Sequence, residues 1–288
     1  MSDHNRIVAF VDTSQYAESV CDYAIWLAGK HDDLTLELVH VLDQPKRPET
    51  NMSGTIGLGA RTNLLEKLAE LDAERAKIAQ AQGRAILEDA SYRLTSTAPR
   101  ITHNEILRTG GITEAVNTIG KGAQLIVIGK RGNTADVNSD LIGSNLETVI
   151  RASQTPVFVT NRAYAPPKKF LIAYDGGASV DRAIDYMVRS NAFKGMSGEL
   201  VSVGSEKSAL NAKQKVAAAK LSDNGLPTET HWYENSNVED TIVLAVSKHQ
   251  SDLLVMGAYG HSRIRNWVIG SATSDMVRRC KIPILMVR

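Results

Sequence analysis

The chain repeats itself at the scale of whole domains. The segment Leu125–Gly132, an apolar run that ends in two spaced glycines, recurs as Leu253–Gly260, and a Gly-Ser pair follows each copy. The endings also repeat, since Thr155–Thr160 corresponds to Ile282–Val287. A repeat of this size indicates a domain duplication, because solenoid repeats span only about 20–50 residues. We therefore expect the 288 residues to form two similar domains.

Each half contains five short runs rich in Val, Ile and Leu, which alternate with stretches of helical periodicity. This alternation predicts βαβ units and an α/β fold with a parallel sheet. The predicted strands are 7–11, 36–41, 101–107, 125–128 and 157–160, then 170–174, 200–203, 228–233, 253–256 and 284–287. Pro166 and Pro167 can continue neither a helix nor a central strand, so they indicate a linker. The predicted domains are residues 1–162 and 166–288.

The first half carries an insertion, residues 43–100, between its second and third predicted strands. The insertion begins with a segment rich in Pro and Gly, which predicts a loop. An apolar stripe with charged residues between its members then predicts one long helix. The stripe consists of Leu64, Leu68, Leu71, Ile78, Ala85 and Tyr92. We expect this stripe to lie on the sheet of its own domain; the alternative is a helix that overhangs the sheet and binds a partner.

Composition excludes several classes of function. The 33 Lys and Arg residues nearly balance the 32 Asp and Glu residues, so we expect no nucleic-acid partner. Two distant cysteines form neither a disulfide framework nor a local metal motif, and the seven histidines are scattered, so we expect a reducing compartment and no metal site. No export signal or apolar run of about 20 residues occurs, which predicts a cytoplasmic protein without membrane insertion.

Glycines after the fourth predicted strand of each half are suited to binding phosphate. In the second half, Gly257 and Gly260 are followed after nine residues by Gly270 and Ser271, and Asp175 follows the first predicted strand. Glycines at a strand end let backbone N–H groups approach a phosphate, and a helix N-terminus adds a favourable dipole. Each residue also has a purely structural interpretation, as a turn former or a helix cap.

These motifs resemble the universal stress protein family. The family signature is Gly, two residues, Gly, nine residues, then Gly followed by Ser or Thr, with an Asp at the end of the first strand. The second half fits it without a gap, whereas ten residues separate Gly132 from Gly143 in the first half. An extra residue moves loop amides by up to about 3.3 Å. The resemblance implies two tandem, doubly wound, five-stranded parallel-sheet domains with strand order 3-2-1-4-5, the adenine nucleotide alpha hydrolase-like fold.

The resemblance also implies a nucleotide site in the second half and a second candidate site in the first. In nucleotide-binding relatives the Asp contacts the nucleoside, a residue late in the second strand contacts the base, and the glycine loop with Ser holds the phosphates. His261 and Arg263 add positive charge after the loop, and Lys130 lies within the altered loop of the first half. The first set is Asp175, Val203, Met256, Gly257, Gly260, His261, Arg263, Gly270, Ser271 and Ala272; the second is Asp12, Val41, Gly129, Arg131, Gly132, Gly143, Ser144 and Asn145.

The resulting hypothesis is a stress-response protein that binds ATP, with Mg²⁺ arriving on the nucleotide, and serves as a sensor or regulator. The sequence contains no P-loop, nucleophile elbow or zinc-protease motif, so we expect at most slow ATP hydrolysis. One alternative is an interaction protein that binds a lipid-like ligand or a protein partner; another is a nucleotide-dependent enzyme such as an adenylyl transferase. The resemblance further implies a pseudo-dimer in which the last strands of the two domains pair, and it allows a homodimer.

Overall fold

The computed structural model describes residues 5–31, 33–42, 58–130, 144–205, 208–235, 237–258 and 276–288. Within these ranges it describes all side chains except those at 58–65, 144, 145, 147 and 208. The predicted loop at 43–57 and most of the two glycine motifs, at 131–143 and 259–275, lie outside the described residues.

Strands and helices alternate along the described chain, as the periodicity predicts. The strands are β1 (Arg6–Phe10), β2 (Thr35–Leu42), β3 (Thr102–Thr109), β4 (Leu125–Gly129), β5 (Val157–Thr160), β6 (Lys169–Ala173), β7 (Ser197–Val203), β8 (Thr228–Tyr233), β9 (Leu253–Gly257) and β10 (Ile284–Val287). The helices are α1 (Ala17–Ala28), α2 (Leu58–Thr97), α3 (Ile112–Thr118), α4 (Ser144–Ala152), α5 (Ala178–Arg189), α6 (Ser208–Asp223) and α7 (Val238–Lys248). All ten predicted strands are present, with small shifts at their ends.

The ten strands form one sheet in the order β3-β2-β1-β4-β5-β10-β9-β6-β7-β8. Neighbouring strands within each half are parallel, so each half has the predicted order 3-2-1-4-5. The central pair, β5 and β10, is antiparallel, with Phe158 opposite Leu285. The last strands of the two halves are therefore hydrogen bonded, and the strand order is the same from either edge.

The central strands are covered on both faces, which explains why they are continuous apolar runs in the sequence. Every residue of β5 and β10 is buried. One core, formed with α1, α2, α5 and α6, covers one face, and a second core, formed with α3, α4 and α7, covers the other. Among the helices that the structure describes, none is both long and apolar enough to cross a lipid bilayer.

Aromatic side chains fill the junction between the halves. The ring centroids of Tyr23 and Phe158 lie 5.3 Å apart, and those of Trp26 and Phe193 lie 6.1 Å apart. The Tyr23 hydroxyl also donates to Oδ1 of Asn161 at 2.8 Å. Because Trp26 belongs to α1 and Phe193 follows α5, this cluster extends the contact between halves beyond the β5–β10 pair.

The long helix α2 packs differently from its prediction. Gly83, Leu87, Ala90 and Leu94 form its buried side, whereas the described side chains of the predicted stripe, which begin at Leu68, are exposed. The side chain of Leu64 is not among the described ones. The prediction that the stripe lies on the sheet is therefore wrong. Its members repeat mostly every seven residues, and such a stripe drifts by about 20° per heptad around a straight helix, away from the side that meets the sheet. All described side chains from 66 to 78 are exposed, so the N-terminal part of α2 overhangs the sheet, as the alternative proposed.

Candidate functional site

The carboxyl ends of β9, β6 and β7 lie side by side at one edge of the second half. Ala173, at the end of β6, is in register with Met256 on one side and with Val201 on the other. This register brings Asp175, Val203 and Gly257 to the same edge. The strand order changes direction at β6, which lies between β9 and β7. Ligands of open parallel sheets bind at such a switch point, so this edge is the candidate site.

Asp175 organises the turn between β6 and α5. Its Oδ1 accepts a hydrogen bond of 2.9 Å from the N–H of Gly177, which is the N-cap residue of α5. Gly176 between them has a φ of 71°, a conformation that glycine adopts without a steric penalty. The capping interpretation of Asp175 is wrong, because the N-cap residue Gly177 has no side-chain cap hydrogen bond and Asp175 instead closes the turn before the helix. The same turn places the carboxylate beside the N-terminus of α5.

Gly257 allows α5 to approach the end of β9. A Cβ at this position would lie 2.8 Å from the backbone N of Val180 and 2.9 Å from Cβ of Ser179. Side chains do not tolerate such contacts with a backbone, so only glycine fits here. The first turn of α5 therefore reaches the edge of the sheet, where its free N–H groups and the positive end of its dipole favour an anion.

The remaining predicted residues of the second half differ in how far they are exposed to a ligand at this edge. Val203 is the last residue of β7 and is half-buried at the edge. The side chain of Met256 is only 1% exposed, so a ligand at this position would meet its backbone rather than its side chain. Gly260, His261, Arg263, Gly270, Ser271 and Ala272 lie outside the described residues, and their roles stay predictions.

A phenol supports the turn from the core side. Tyr174 is buried directly before Asp175, and its hydroxyl donates to Oδ1 of Asp181 at 3.3 Å. Burial, together with the negative charge of Asp181, raises the pKa of Tyr174 well above its ordinary value. Tyr174 therefore remains a neutral hydrogen-bond donor at physiological pH, and its bond to Asp181 connects the end of β6 to α5.

The first half reproduces the turn at the equivalent edge. Oδ1 of Asp12 accepts a 2.9 Å hydrogen bond from the N–H of Ser14, and Val41 and Gly129 lie at the ends of the strands on either side of β1. Of the other predicted residues, Ser144 and Asn145 begin α4, although their side chains are not described. Arg131, Gly132 and Gly143 lie outside the described residues.

Lys130 marks a difference between the two edges. It follows Gly129 directly, is 7% exposed, and donates a hydrogen bond through Nζ to the carbonyl oxygen of Cys280 in the other half. The equivalent residue of the second half is the small Ala258. The ammonium of Lys130 therefore contributes to the junction between the halves, a role that its place between two glycines does not predict.

The structure also brings together side chains that the sequence leaves far apart. Potential metal ligands of Glu199, His231 and His249 lie within 4.8 Å of one another. However, Nζ of Lys169 lies 3.1 Å from Oε1 of Glu199, and Nε2 of His231 lies 2.6 Å from Oε2. Because Lys169 already supplies a positive charge, we interpret the cluster as an ion-pair network. It lies toward the amino ends of β6 and β7, away from the Asp175 edge.

Comparison with known proteins agrees with this architecture. Residues 4–161 and 186–288 match the model of the Universal stress protein family. Universal stress protein Slr1230 of Synechocystis sp. is 31% identical over 291 residues, which cover 98% of this chain and 99% of that protein. A structure of a universal stress protein from Archaeoglobus fulgidus has a TM-score of 0.67 at 17% identity and covers 99% of this chain and 96% of that one.

A second solved structure, of the functionally unknown protein PA1789 from Pseudomonas aeruginosa PAO1, has a TM-score of 0.58 at 13% identity and covers 98% of this chain and 92% of that one. At these identities the two structures show a shared fold only. The family match, by contrast, includes both halves, and the relative from Synechocystis is similar along nearly its whole length. The chain therefore belongs to the universal stress protein family and carries the family's domain twice in tandem.

Proposed function

We propose that this chain binds an adenine nucleotide, ATP, at the carboxyl edge of β9, β6 and β7, and that it serves as a cytoplasmic stress sensor or regulator. The observation that carries the proposal is the meeting of the Asp175 turn with the N-terminus of α5 at the switch point. A carboxylate suits the hydroxyl groups of a nucleoside, and a helix N-terminus suits an anion. The hydroxyl groups of the nucleoside and the negatively charged phosphates of a nucleotide would thus both have suitable partners at one edge.

The other contacts follow from the family resemblance. Val203 would border the base, the amides of the Gly260–Ser271 motif would hold the phosphates, and His261 and Arg263 would add positive charge. Mg²⁺ would arrive bound to the phosphates. We propose binding with at most slow hydrolysis, because activation of a water molecule needs a placed base and the sequence contains no recognised hydrolase motif.

We further propose that the two domains, residues 1–162 and 166–288, form a pseudo-dimer through β5 and β10. The antiparallel pairing of these strands and the symmetric strand order support this. In the first half, the extra residue between Gly132 and Gly143 and the engagement of Lys130 at the junction favour a structural role for that edge. The second half is then the principal nucleotide site.

A conservative substitution tests the site. Asp175→Asn keeps an oxygen that can accept the Gly177 N–H, so the turn should persist, but it removes the charge. Hydrogen bonds to charged groups contribute about 1.5–3 kcal/mol, so we expect ATP affinity to fall at least about tenfold in titration calorimetry with Mg²⁺. Gly270→Glu, which places a carboxylate in the predicted phosphate loop, should abolish binding.

The matched control is Asp12→Asn, which changes the equivalent turn of the first half and should leave the affinity nearly unchanged. Nucleotide released by denaturing the freshly purified protein should amount to about one per chain. Equal losses from both Asn variants would contradict the assignment to the second half. If the native protein neither releases nor binds nucleotide, the proposed function is wrong.

The exposed stripe of α2 favours a second candidate function, that of an interaction protein. Leu71 and Ile78 are 50% and 54% exposed. Large apolar side chains that are exposed next to one another are typical of a binding surface, and the nucleotide site does not include them. Mass spectrometry of the native protein would separate the candidates. A lipid-like ligand or a protein that co-purifies stoichiometrically, without nucleotide, would support this second function.

A further inference from the structure

The overhanging part of α2 exposes a row of apolar side chains on one side of the helix. Leu68, Leu71 and Ile78 are 41%, 50% and 54% exposed, and their spacing places them on one side of the helix. Among the described residues, no side-chain hydrogen bond or ion pair joins residues 66–82 to the rest of the chain. Single exposed apolar residues are common, but a row on a projecting helix indicates an interface.

Charge along the same segment is segregated. Residues 66–74 contain four carboxylates and one lysine, a net charge of −3, whereas residues 75–87 contain three basic residues and no acidic one, a net charge of +3. The change of sign falls between Glu74 and Arg75, within the apolar row. Two such helices that pack antiparallel about this point would face opposite charges along their length, whereas parallel packing would face like charges.

We propose that this part of α2 is a homodimer interface, in which the α2 helices of two chains pack antiparallel across a two-fold axis between Glu74 and Arg75. That register places Leu71 beside Ile78 of the second copy and Arg75 beside Glu74 of the second copy. A two-fold axis closes the assembly, because each surface meets its own copy. Arg75 lies within this row and favours the antiparallel orientation of the two helices, since only that arrangement places a residue of opposite charge beside it.

The second copy fits this surface better than an unrelated partner, because the surface is complementary to itself in both charge and apolar spacing. The dimer also leaves the rest of the fold intact. β5 and β10 are already paired within the chain, so another copy cannot add to the sheet there. The α2 interface lies instead on the part of the helix that extends past the sheet of the first half, whereas the Asp175 edge belongs to the second half. It is therefore independent of nucleotide binding.

Sedimentation equilibrium of the full chain tests the proposal. We expect a dimer that Leu71→Gln with Ile78→Gln weakens about a hundredfold or more. The two substitutions change four side chains of the interface, two from each copy, and each of these is already about half-buried in the single chain. The matched control is Val216→Gln with Leu244→Gln, two exposed apolar residues on α6 and α7, which should leave the dissociation constant unchanged. Circular dichroism would verify that both variants are folded.

Disulfide cross-linking tests the orientation. Arg75→Cys places a thiol next to the two-fold axis, whereas Tyr92→Cys places it about 26 Å along the helix, so that the two copies of residue 92 would lie about 50 Å apart. The native cysteines, Cys21 and Cys280, are buried and contribute little background. Oxidation should cross-link Arg75→Cys and not Tyr92→Cys. A monomeric mass at about 100 μM, or a dimer that survives the double Gln substitution, would overturn the proposal.

Discussion

The two halves of the chain share a framework and differ in what is attached to it. The turn at Asp12 and the turn at Asp175 have the same hydrogen bond, with N–H to Oδ1 distances of 2.9 Å in both. By contrast, β2 and β3 are connected by the 40-residue helix α2, whereas the equivalent connection in the second half contains the 16-residue helix α6. Duplication has thus preserved the strand ends that meet at the switch points, while the outer connections have diverged.

The divergence extends into the sheet at one register position. Ile7 pairs with Leu36 in the first half, and the equivalent pair in the second half is Phe170 with Gly198. A larger side chain on one strand is matched by the loss of a side chain on its neighbour. Since protein interiors are close-packed, such an exchange keeps the core filled without moving the strands. The two halves therefore have the same sheet geometry with different packing.

The largest effect should come from breaking the junction that joins the halves. Phe158 on β5 is fully buried, and its ring contacts those of Tyr23 and Trp26. Phe158→Ala removes this contact and leaves a cavity, so we expect a loss of about 3–5 kcal/mol in the free energy of unfolding. Urea denaturation followed by circular dichroism measures it. The exposed control Val216→Ala should change stability by less than about 0.5 kcal/mol.

The same experiment examines whether the halves unfold together. Trp26 lies at the junction and Trp232 lies on β8 of the second half, so their fluorescence follows the unfolding of different regions. If the junction couples the halves, Phe158→Ala should lower the midpoint for fluorescence and circular dichroism together. Two separate transitions in the wild-type protein would show that each half unfolds on its own.

A smaller effect should follow from restoring a side chain at Gly198. A Cβ there would lie 2.2 Å from the carbonyl oxygen of Phe170 and 2.4 Å from its ring. Gly198→Ala should therefore destabilise the protein by about 1–3 kcal/mol, because the strand must shift to admit one methyl group. Adding Phe170→Leu relieves the contact with the ring but not the contact with the carbonyl, so the double variant should recover part of the loss.

A double-mutant cycle measures this compensation in urea denaturation. Positive coupling between the two substitutions would confirm that the second half has exchanged a large-large pair for a large-small one. Additive losses would mean that Gly198 is required by the backbone alone and that the ring plays no part.

The elements of the sheet were predictable because its strands are buried on both faces and occur twice. Runs such as Leu125–Ile128 and Leu253–Met256 have the same apolar character and the same glycine after them, so each supports the other. The position of Asp175 after β6 was predictable for the same reason. The side of α2 that packs on the sheet was not predictable, because periodicity locates an apolar side of a helix but does not say which neighbouring element covers it.

Sequence patterns also could not predict the contacts between distant segments. The hydrogen bond from Lys130 to the Cys280 carbonyl joins residues of different halves, and the Glu199 network joins β6, β7, β8 and the end of α7. No local spacing encodes such contacts, since they depend on strand order and register. His231 gives the one signal that was available, because a polar residue in the middle of a predicted strand needs a partner on the neighbouring strand.

The smallest expected effect is a pH dependence that the Glu199 network gives to the second half. Burial and the nearby His231 lower the pKa of His249 below its ordinary value of about 6.5. Burial opposes ionisation of Glu199, but hydrogen bonds from Lys169 and His231 leave the pKa of its carboxyl below its ordinary value of about 4.5. In both cases the unfolded chain binds protons more readily than the folded one, so acidification favours unfolding.

Stability should therefore decrease as the pH falls below about 6.5, through His249, and decrease further below about 4.5, through Glu199. Urea denaturation between pH 7.5 and pH 5 isolates the histidine contribution. His249→Gln removes that titrating group, so it should flatten the pH dependence in this range, even if it lowers stability by loss of the 2.8 Å hydrogen bond to Tyr233. A variant with the wild-type slope would show that the pH response arises elsewhere and that the network does not distinguish the second half from the first.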